Sequence, residues 1–380
     1  MLAIIAGTIS VLVWLYLLLG RSGFWRVRRH LPQSLPDMEL SSRVAVIVPA
    51  RNEAEVIRQS IIALLTQTGK HRIRVLLVDD NSSDGTAKVA RQAARQAGRS
   101  SDLTVVEGQP LPTGWTGKLW AVRQGIEHAR EWQPDFFFFT DADILHAADN
   151  IAALVSMAEK GRYDLASFMV KLQCHTTTEK FLIPAFVFFF FKLYPPAWIS
   201  NSRYKTAGAA GGSILVRPEA LDRAGGIEAI RNEIIDDCAL ARIVKRKGGK
   251  LWLGMTSSTA SLRPYRTFSE VERMIARTAF NQLNHSALML LMALLGLTVM
   301  YLLPPVLLFA HHWLPALLGA TAWLLMALVY FPMVRFYRLN LLWSLTLPLT
   351  AIFYMAATVH SAFKNWTGRG GEWKGRAQDV

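Results

Sequence analysis

Hydrophobic and polar positions divide the chain into three regimes. Residues 2–19 are almost continuously apolar, LAIIAGTISVLVWLYLLL, and RSGFWRVRRH follows within two residues. A run of that length predicts a membrane helix. Positive charge after the apolar run, rather than before it, predicts an uncleaved anchor whose basic flank faces the cytoplasm. The first regime is therefore an anchor over 1–20 and a basic linker over 21–42, where Pro32 and Pro36 argue against regular structure.

From Arg43 the pattern changes to short apolar runs separated by amphipathic stretches. Strands are predicted at 44–50, 74–80, 103–108, 135–143, 164–172, 211–218 and 250–255. Helices are predicted near 53–67, 84–97, 118–131, 149–160 and 236–247. Apolar strands without alternation, separated by helices, indicate an α/β domain over 43–266 with a mostly parallel sheet covered on both faces. Ligands bind such sheets beyond the carboxyl ends of the strands. Acidic residues collect there: Asp79 and Asp80 close one strand, and Asp141 and Asp143 close another.

The third regime is apolar again. FLIPAFVFFFFKLYPPAWI (181–199) is intensely aromatic, but its proline-bounded apolar centre is short for a crossing and suits an interfacial helix or lipid-facing wall better than a plain buried core helix. TFSEVERMIARTAFNQLNH (267–285) reads as a basic amphipathic helix lying on a membrane. Stretches at 286–310, 313–334 and 339–363 are each long enough to cross a bilayer, giving a membrane region of two or three spans over 286–363. A basic tail covers 364–380. Four crossings from an outside N-terminus would leave that tail outside, whereas Lys364, Arg369, Lys374 and Arg376 favour the inside. Pro304-Pro305 and Pro348 mark where one stretch could turn back.

Composition sharpens this picture. Hydrophobic residues make up 52% of 380, and the net charge is +14. Basic residues flank the apolar runs (Arg21, Arg26, Arg28, Arg29; Arg335, Arg338), which points to an anionic membrane face rather than to nucleic acid. The two cysteines, Cys174 and Cys238, provide neither a disulfide framework nor zinc-ligand spacing. TGWTGKL at 113–119 lacks P-loop spacing, and no GxGxxG or serine nucleophile elbow occurs.

Four segments carry candidate chemistry. In VPARNEAEVI (48–57) a strand ends and a helix begins, so Ala50, Arg51 and Asn52 form a polar turn suited to a nucleotide, or simply a helix cap. In VDDNSSDGT (78–86) capping accounts for Ser83 and Asp84. It does not account for Asp80, which can accept hydrogen bonds from a base or ribose. In TDADI (140–144) two carboxylates leave a phenylalanine strand together. Hard cations such as Mg2+ or Mn2+ favour such oxygen ligands and bridge them to substrate phosphates. In IIDDCALARIVKRKG (234–248) Asp236 and Asp237 open a helix, either to match its dipole or to supply a general base.

In this order VPARNEAEVI, VDDNSSDGT, TGKLWAVRQG, TDADI, AAGGSILVRPEAL and IDDCALARIVKRKGG resemble family 2 glycosyltransferases of the Rossmann-like GT-A fold. GWTGKLWAV, LIPAFVFFFF, IDDCALA and LRPY look like the hopene-associated members. The resemblance implies a multi-pass enzyme of the cell's inner membrane, its catalytic domain cytoplasmic. It would move a sugar from a nucleotide-sugar, with uridine the family-based choice, to a lipid acceptor such as a hopanoid or related polyisoprenoid. It further implies that Pro49, Ala50, Arg51, Glu53 and Asp80 hold the nucleoside and that Lys118 sits near the diphosphate. Asp141 and Asp143 would be the metal pair, Asp143 the more direct ligand. Asp237 would be the base, with Asp236 where relatives often carry Glu. Relatives with a Q/R-x-x-R-W motif have their counterpart in RMIARTAF, which keeps Arg273 and Arg277 and lacks the Trp. A processive polysaccharide synthase and a non-catalytic membrane scaffold are the alternative readings.

Overall fold

The computed structural model describes residues 1–27 and 41–368, together with the backbone of Glu372–Trp373 and Arg376–Ala377, which pair antiparallel. Most of the linker expected over 21–42, and the side chains of Arg369, Lys374 and Arg376 in the tail, lie outside the described residues. The chain forms two compact units. One carries a sheet and comprises, among the described residues, 41–173, 198–264, 372–373 and 376–377. The other is helical and comprises 1–27, Cys174–Ala197 and 265–368. Residues 174–197, expected inside one continuous 43–266 domain, belong to the helical unit.

The sheet has eight strands: β1 Arg43–Ala50, β2 Arg72–Asp79, β3 Leu103–Glu107, β4 Phe136–Phe139, β5 Ile144–Leu145, β6 Leu165–Lys171, β7 Ile214–Val216 and β8 Leu251–Ser261. Their order is β3-β2-β1-β4-β7-β6-β8-β5. β1 pairs parallel with β2 and β4, β2 with β3, and β6 with β8; β7 and β5 run antiparallel to their neighbours. The sheet is therefore mixed, with its parallel half at the N-terminal side. The chain steps outward from β1 through β2 to β3 and returns to β4 on β1's other side. This makes the carboxyl ends of β1 and β4 the switch point where such sheets open a crevice.

Burial on both faces explains why β4 is four phenylalanines without alternation. Phe136 and Phe138 enter the main core with Ile57, Ile61, Ile151 and Leu154. Phe137 and Phe139 stack on the other face with centroids 6.2 Å apart. There the helix Gly117–Arg130 crosses β1 so closely that a Cβ on Gly125 would come within 2.6 Å of Ile47.

Several elements differ from the sequence pattern. The helix expected from 53 runs over Ile57–Leu65, because 51–56 are spent on the loop at the end of β1. The strand expected over 211–218 contracts to three residues between a turn at Ala210–Ser213 and Pro218. β8 runs six residues beyond the expected 255, since Thr256, Thr259 and Ser261 are buried polar residues that resemble a loop in sequence. β5 was not legible at all.

Among the described residues, five helices are long and apolar enough to cross a membrane: Leu2–Gly20, Thr177–Ile199, Ala287–Leu307, Trp313–Phe336 and Leu341–Trp366. The aromatic segment thus reaches 23 residues, longer than its sequence suggested, with a Thr176–Glu179 capping box at its start. A lone crossing there would place β6 and β7 on opposite sides of a bilayer, although Leu165 pairs with Val216 in one sheet. The sheet therefore excludes that helix as a single span. The amphipathic helix expected over 267–285 is shorter, Phe268–Ala276, and a separate turn at Asn281–Leu283 leads into left-handed Asn284 and His285.

Candidate active site

The loops after β1 and β2 are laced together. Asn52 is left-handed at φ 52, as is Asn81 at φ 53, a backbone state that asparagine tolerates better than most residues. Asn52 N–H donates to Ser82 Oγ at 2.9 Å, and Ser83 N–H donates to Asn52 Oδ1 at 2.9 Å. Glu53 N–H donates to Thr86 Oγ1, and Ala54 N–H donates to Asp84 Oδ2, both at 2.9 Å. The Ser-Ser-Asp run was expected to cap its own helix. Ser83 instead serves the neighbouring loop. Asp84 does both, since it also accepts from Thr86 N–H at 3.0 Å. Burial opposes the charge of the Asp84 carboxyl, but the Thr86 hydroxyl first and then these N–H bonds hold it below its ordinary range.

Three ion-paired groups stand on this frame. In the first, Arg51 Nη1 donates to the Asp80 carbonyl at 2.7 Å and lies 3.5 Å from its Oδ2. Asp80 is buried, so the pair fixes an acidic side chain just past the carboxyl end of β2.

In the second, Lys118 Nζ lies 2.8 Å from Asp141 Oδ1 and 3.0 Å from Asp236 Oδ2. Lys118 is in the first turn of Gly117–Arg130, where Thr116 is the cap and the helix dipole opposes a cation. Burial also disfavours its charge, but Asp141 and Asp236 outweigh it and push the lysine pKa well up. Asp237, one residue on, accepts from Gly211 N–H at 2.9 Å and from Cys238 N–H at 2.7 Å. Burial first, and then the Asp236 charge, raise its carboxyl to about 6 despite Lys118 and the two N–H donors. A cavity lined by Pro49, Lys118, Asp141, Gly211, Asp236 and Asp237, with Ile214, Ile227 and Leu240 as apolar wall, opens over this group.

In the third, Arg263 Nε donates to Asp143 Oδ2 at 2.7 Å, and its Nη2 donates to both Glu53 oxygens at 3.0 and 3.2 Å. Sequence reasoning assigned Arg263 no role. Its only mark in the sequence was as the second residue of the LRPY motif, two residues beyond the last strand.

Behind Asp141 a buried polar network supports the turn. Thr140 Oγ1 donates to the Gly212 carbonyl at 2.9 Å and lies 2.8 Å from His146 Nε2. Asn150 Nδ2 is 3.1 Å from His146 Nδ1, and Thr259 donates to Asn150 Oδ1 at 2.9 Å. These partners fit a neutral imidazole protonated on Nε2. Burial holds the His146 pKa down to about 3 against the nearby Asp141 charge.

The structure brings the expected Pro49, Lys118, Asp141, Asp236 and Asp237 together around the cavity, while Arg51 and Asp80 form a separate pair and Glu53 and Asp143 a separate trio with the unexpected Arg263. No group of three or more His, Cys, Asp or Glu residues poised to hold a metal occurs among the described residues. The available donor set is two carboxylates, Asp141 and Asp143, each matched by a basic side chain. Such oxygen donors fit a hard divalent ion that takes its remaining ligands from water and a diphosphate.

This sheet, with acidic groups at its switch point, has the GT-A fold of nucleotide-sugar transferases. The mannosyltransferase PcManGT from Pyrobaculum calidifontis, solved with GDP-Man and Mn2+, superposes with a TM-score of 0.60 over 96% of this chain and 98% of its own, at 21% identity. Residues 45–225 match Glycosyl transferase family 2, and the chain carries that family's domain. The undecaprenyl-phosphate 4-deoxy-4-formamido-L-arabinose transferase of Pseudomonas savastanoi pv. phaseolicola is 31% identical over 128 residues, 32% of this chain and 34% of the relative. The probable glycosyltransferase YdaM of Bacillus subtilis is 30% identical over 140 residues, 35% of this chain and 32% of the relative. The match thus spans about a third of the length of these curated relatives.

Proposed function

We propose that the protein is a membrane-bound inverting glycosyltransferase that moves one sugar from a nucleoside-diphosphate sugar to a lipid acceptor. The observation that carries this reading is the Lys118–Asp141–Asp236–Asp237 group at the mouth of a family 2 sheet, in a chain with several helices apolar enough to enter a bilayer.

Arg51 and Asp80, with Pro49 and Ala50 beside them, form the nucleoside floor, and Glu53 closes its side. Asp141 and Asp143 would hold a divalent cation, Mg2+ or Mn2+, which would neutralise the diphosphate charge that these carboxylates otherwise repel. Lys118 and the first N–H groups of its helix face the same phosphates. The two N–H bonds to Asp237 fix its orientation and leave lone pairs free on the cavity side. Asp237 takes the acceptor proton as the acceptor oxygen bonds to the anomeric carbon and the bond to the departing phosphate breaks. Asp236 holds Lys118 beside that leaving group.

A lipid acceptor agrees with the apolar helices and with the undecaprenyl phosphate in the name of the Pseudomonas relative. A lipid hydroxyl at the headgroup layer reaches a crevice anchored at the same surface far more often than one free in solution. The hopanoid assignment rests on the LRPY, IDDCALA and LIPAFVFFFF motifs, and uridine on the wider family resemblance; the catalytic domain then faces the cytoplasm. Mass spectrometry of membrane lipids, with and without the protein, tests the whole reading. A lipid gaining one hexose- or pentose-sized mass is the expected result. Protein that consumes neither UDP- nor GDP-sugars with Mn2+ and extracted lipid would defeat it.

A further inference from the structure

The register of the sheet's last pairing puts a cation beside a metal-ligand candidate. β5 and β8 are antiparallel with Ile144 opposite Ser261, which brings Asp143 alongside the residues that follow β8. Leu262 N–H closes on the Asp143 carbonyl at 2.7 Å, and Arg263 comes next. Pro264 then confines the Arg263 backbone to extended conformations. The backbone is clamped, and only the side chain is free to change partners.

That side chain bridges two nearly buried carboxylates. The side chain of Asp143 is 13% exposed and that of Glu53 11%. Two such groups close together are unfavourable without a counter-charge, and the guanidinium supplies it with Nε on Asp143 and Nη2 on Glu53. A divalent cation arriving at Asp143 carries the same sign as this group and competes for the same carboxylate. A donor diphosphate changes the balance, because it brings negative charge that a planar guanidinium binds through two parallel N–H bonds.

We propose that Arg263 is a counter-ion switch: it occupies Asp143 while the site is empty and transfers its Nε edge to the donor diphosphate when a divalent cation takes Asp143. Glu53 keeps the guanidinium tethered in both states. This rests on the donor-site reading above and adds a linkage to it: cation and nucleotide bind cooperatively, because each removes the other's competitor or supplies its partner. The empty site consequently resists bare metal.

The test uses the full chain in detergent or nanodiscs, with Mn2+ alone followed by electron paramagnetic resonance and UDP or GDP binding followed at saturating Mn2+. Arg263→Gln removes both roles, so the two affinities move in opposite directions. Bare Mn2+ binds about tenfold tighter and the nucleoside diphosphate about tenfold weaker, within the usual range of coupling between sites. Arg263→Lys keeps the competing charge without the fork. It leaves Mn2+ affinity near wild type while still weakening the nucleotide, and it answers the question should the glutamine variant not fold. A merely structural role would weaken both affinities together, and that result, or unchanged Mn2+ affinity in Arg263→Gln, overturns the switch alone. Wild-type protein that takes up neither Mn2+ nor either nucleotide overturns the donor site, and the switch with it.

Discussion

The Asp237 carboxylate accepts a 2.9 Å hydrogen bond from the Gly211 backbone N–H, so a residue at the start of a helix is held by the turn that precedes β7. A Cβ at position 211 would stand at ordinary van der Waals distance from that carboxylate (3.5 Å), from Asp141 (3.6 Å) and from Lys118 (3.6 Å), so this position borders the space on which the three groups converge. Asp237→Asn keeps the shape and removes the base. Turnover is expected to fall at least about a hundredfold, while donor affinity changes less than about threefold. Radiolabelled sugar transfer and nucleotide titration on the same preparation measure both. Near-normal turnover would reject the role.

The acid limb of the pH profile follows from the same carboxyl. Asp237 sits at about 6 because burial and Asp236 raise it further than Lys118 and the N–H donors lower it. A base works when deprotonated, so kcat/KM is expected to fall about tenfold per pH unit below about 6 and to level off above it. Lys118→Gln removes a group that lowers this pKa, so the limb should move to higher pH as the maximum rate drops. Asp236→Asn removes a group that raises it, and the limb should move to lower pH. Limbs that shift in the same direction in both variants would contradict this electrostatic account.

Much of this site was legible because its chemistry sits at strand ends. Asp80, Asp141 and Asp143 each stand where an apolar strand stops, and a charge at that point has few structural reasons to be there; Asp237, in the first turn of a helix, had the helix dipole as a second explanation. What was not legible depends on pairing between distant segments. Arg263 meets Asp143 only through the antiparallel register of a two-residue strand, which no local pattern marks. Ser82, Ser83 and Asp84 read as helix caps because capping is a local habit of those residues. Their partners lie some thirty positions away, at Asn52 and Ala54. The polar end of β8 looked like a loop because Thr259 and Ser261 are buried for their hydrogen bonds rather than for hydrophobicity.

Metal dependence distinguishes Asp143 from Asp141. Each carboxylate proposed for the cation has its own basic partner, Asp141 with Lys118 at 2.8 Å and Asp143 with Arg263 at 2.7 Å. Asp143→Ala removes the ligand without disturbing the Lys118–Asp141 pair. Donor affinity in this variant is expected to become the same with Mn2+ as with EDTA, while wild type should lose about a hundredfold in affinity when the metal is chelated. Isothermal titration with UDP or GDP in both buffers reads the difference. A metal effect that survives in Asp143→Ala would move the ligand role elsewhere.

His146 gives a stability signature independent of catalysis. Its imidazole is buried among Thr140, Asn150 and Phe138, and burial lowers its pKa from 6.5 to about 3. The folded state therefore keeps it neutral where the unfolded chain already binds a proton. The sign follows: the contribution is complete above pH 6.5 and is lost progressively as pH falls toward 3, amounting to about 2 kcal/mol by pH 5. Fluorescence-detected melting of the detergent-solubilised protein should show the midpoint dropping between pH 7 and pH 5. His146→Gln can still reach both neighbours but cannot be protonated, so its melting point, lower at pH 8, should fall less over that interval. Because Thr140 precedes Asp141, the same variant should also loosen Mn2+ binding; equal acid sensitivity in both proteins would show that some other group carries the effect.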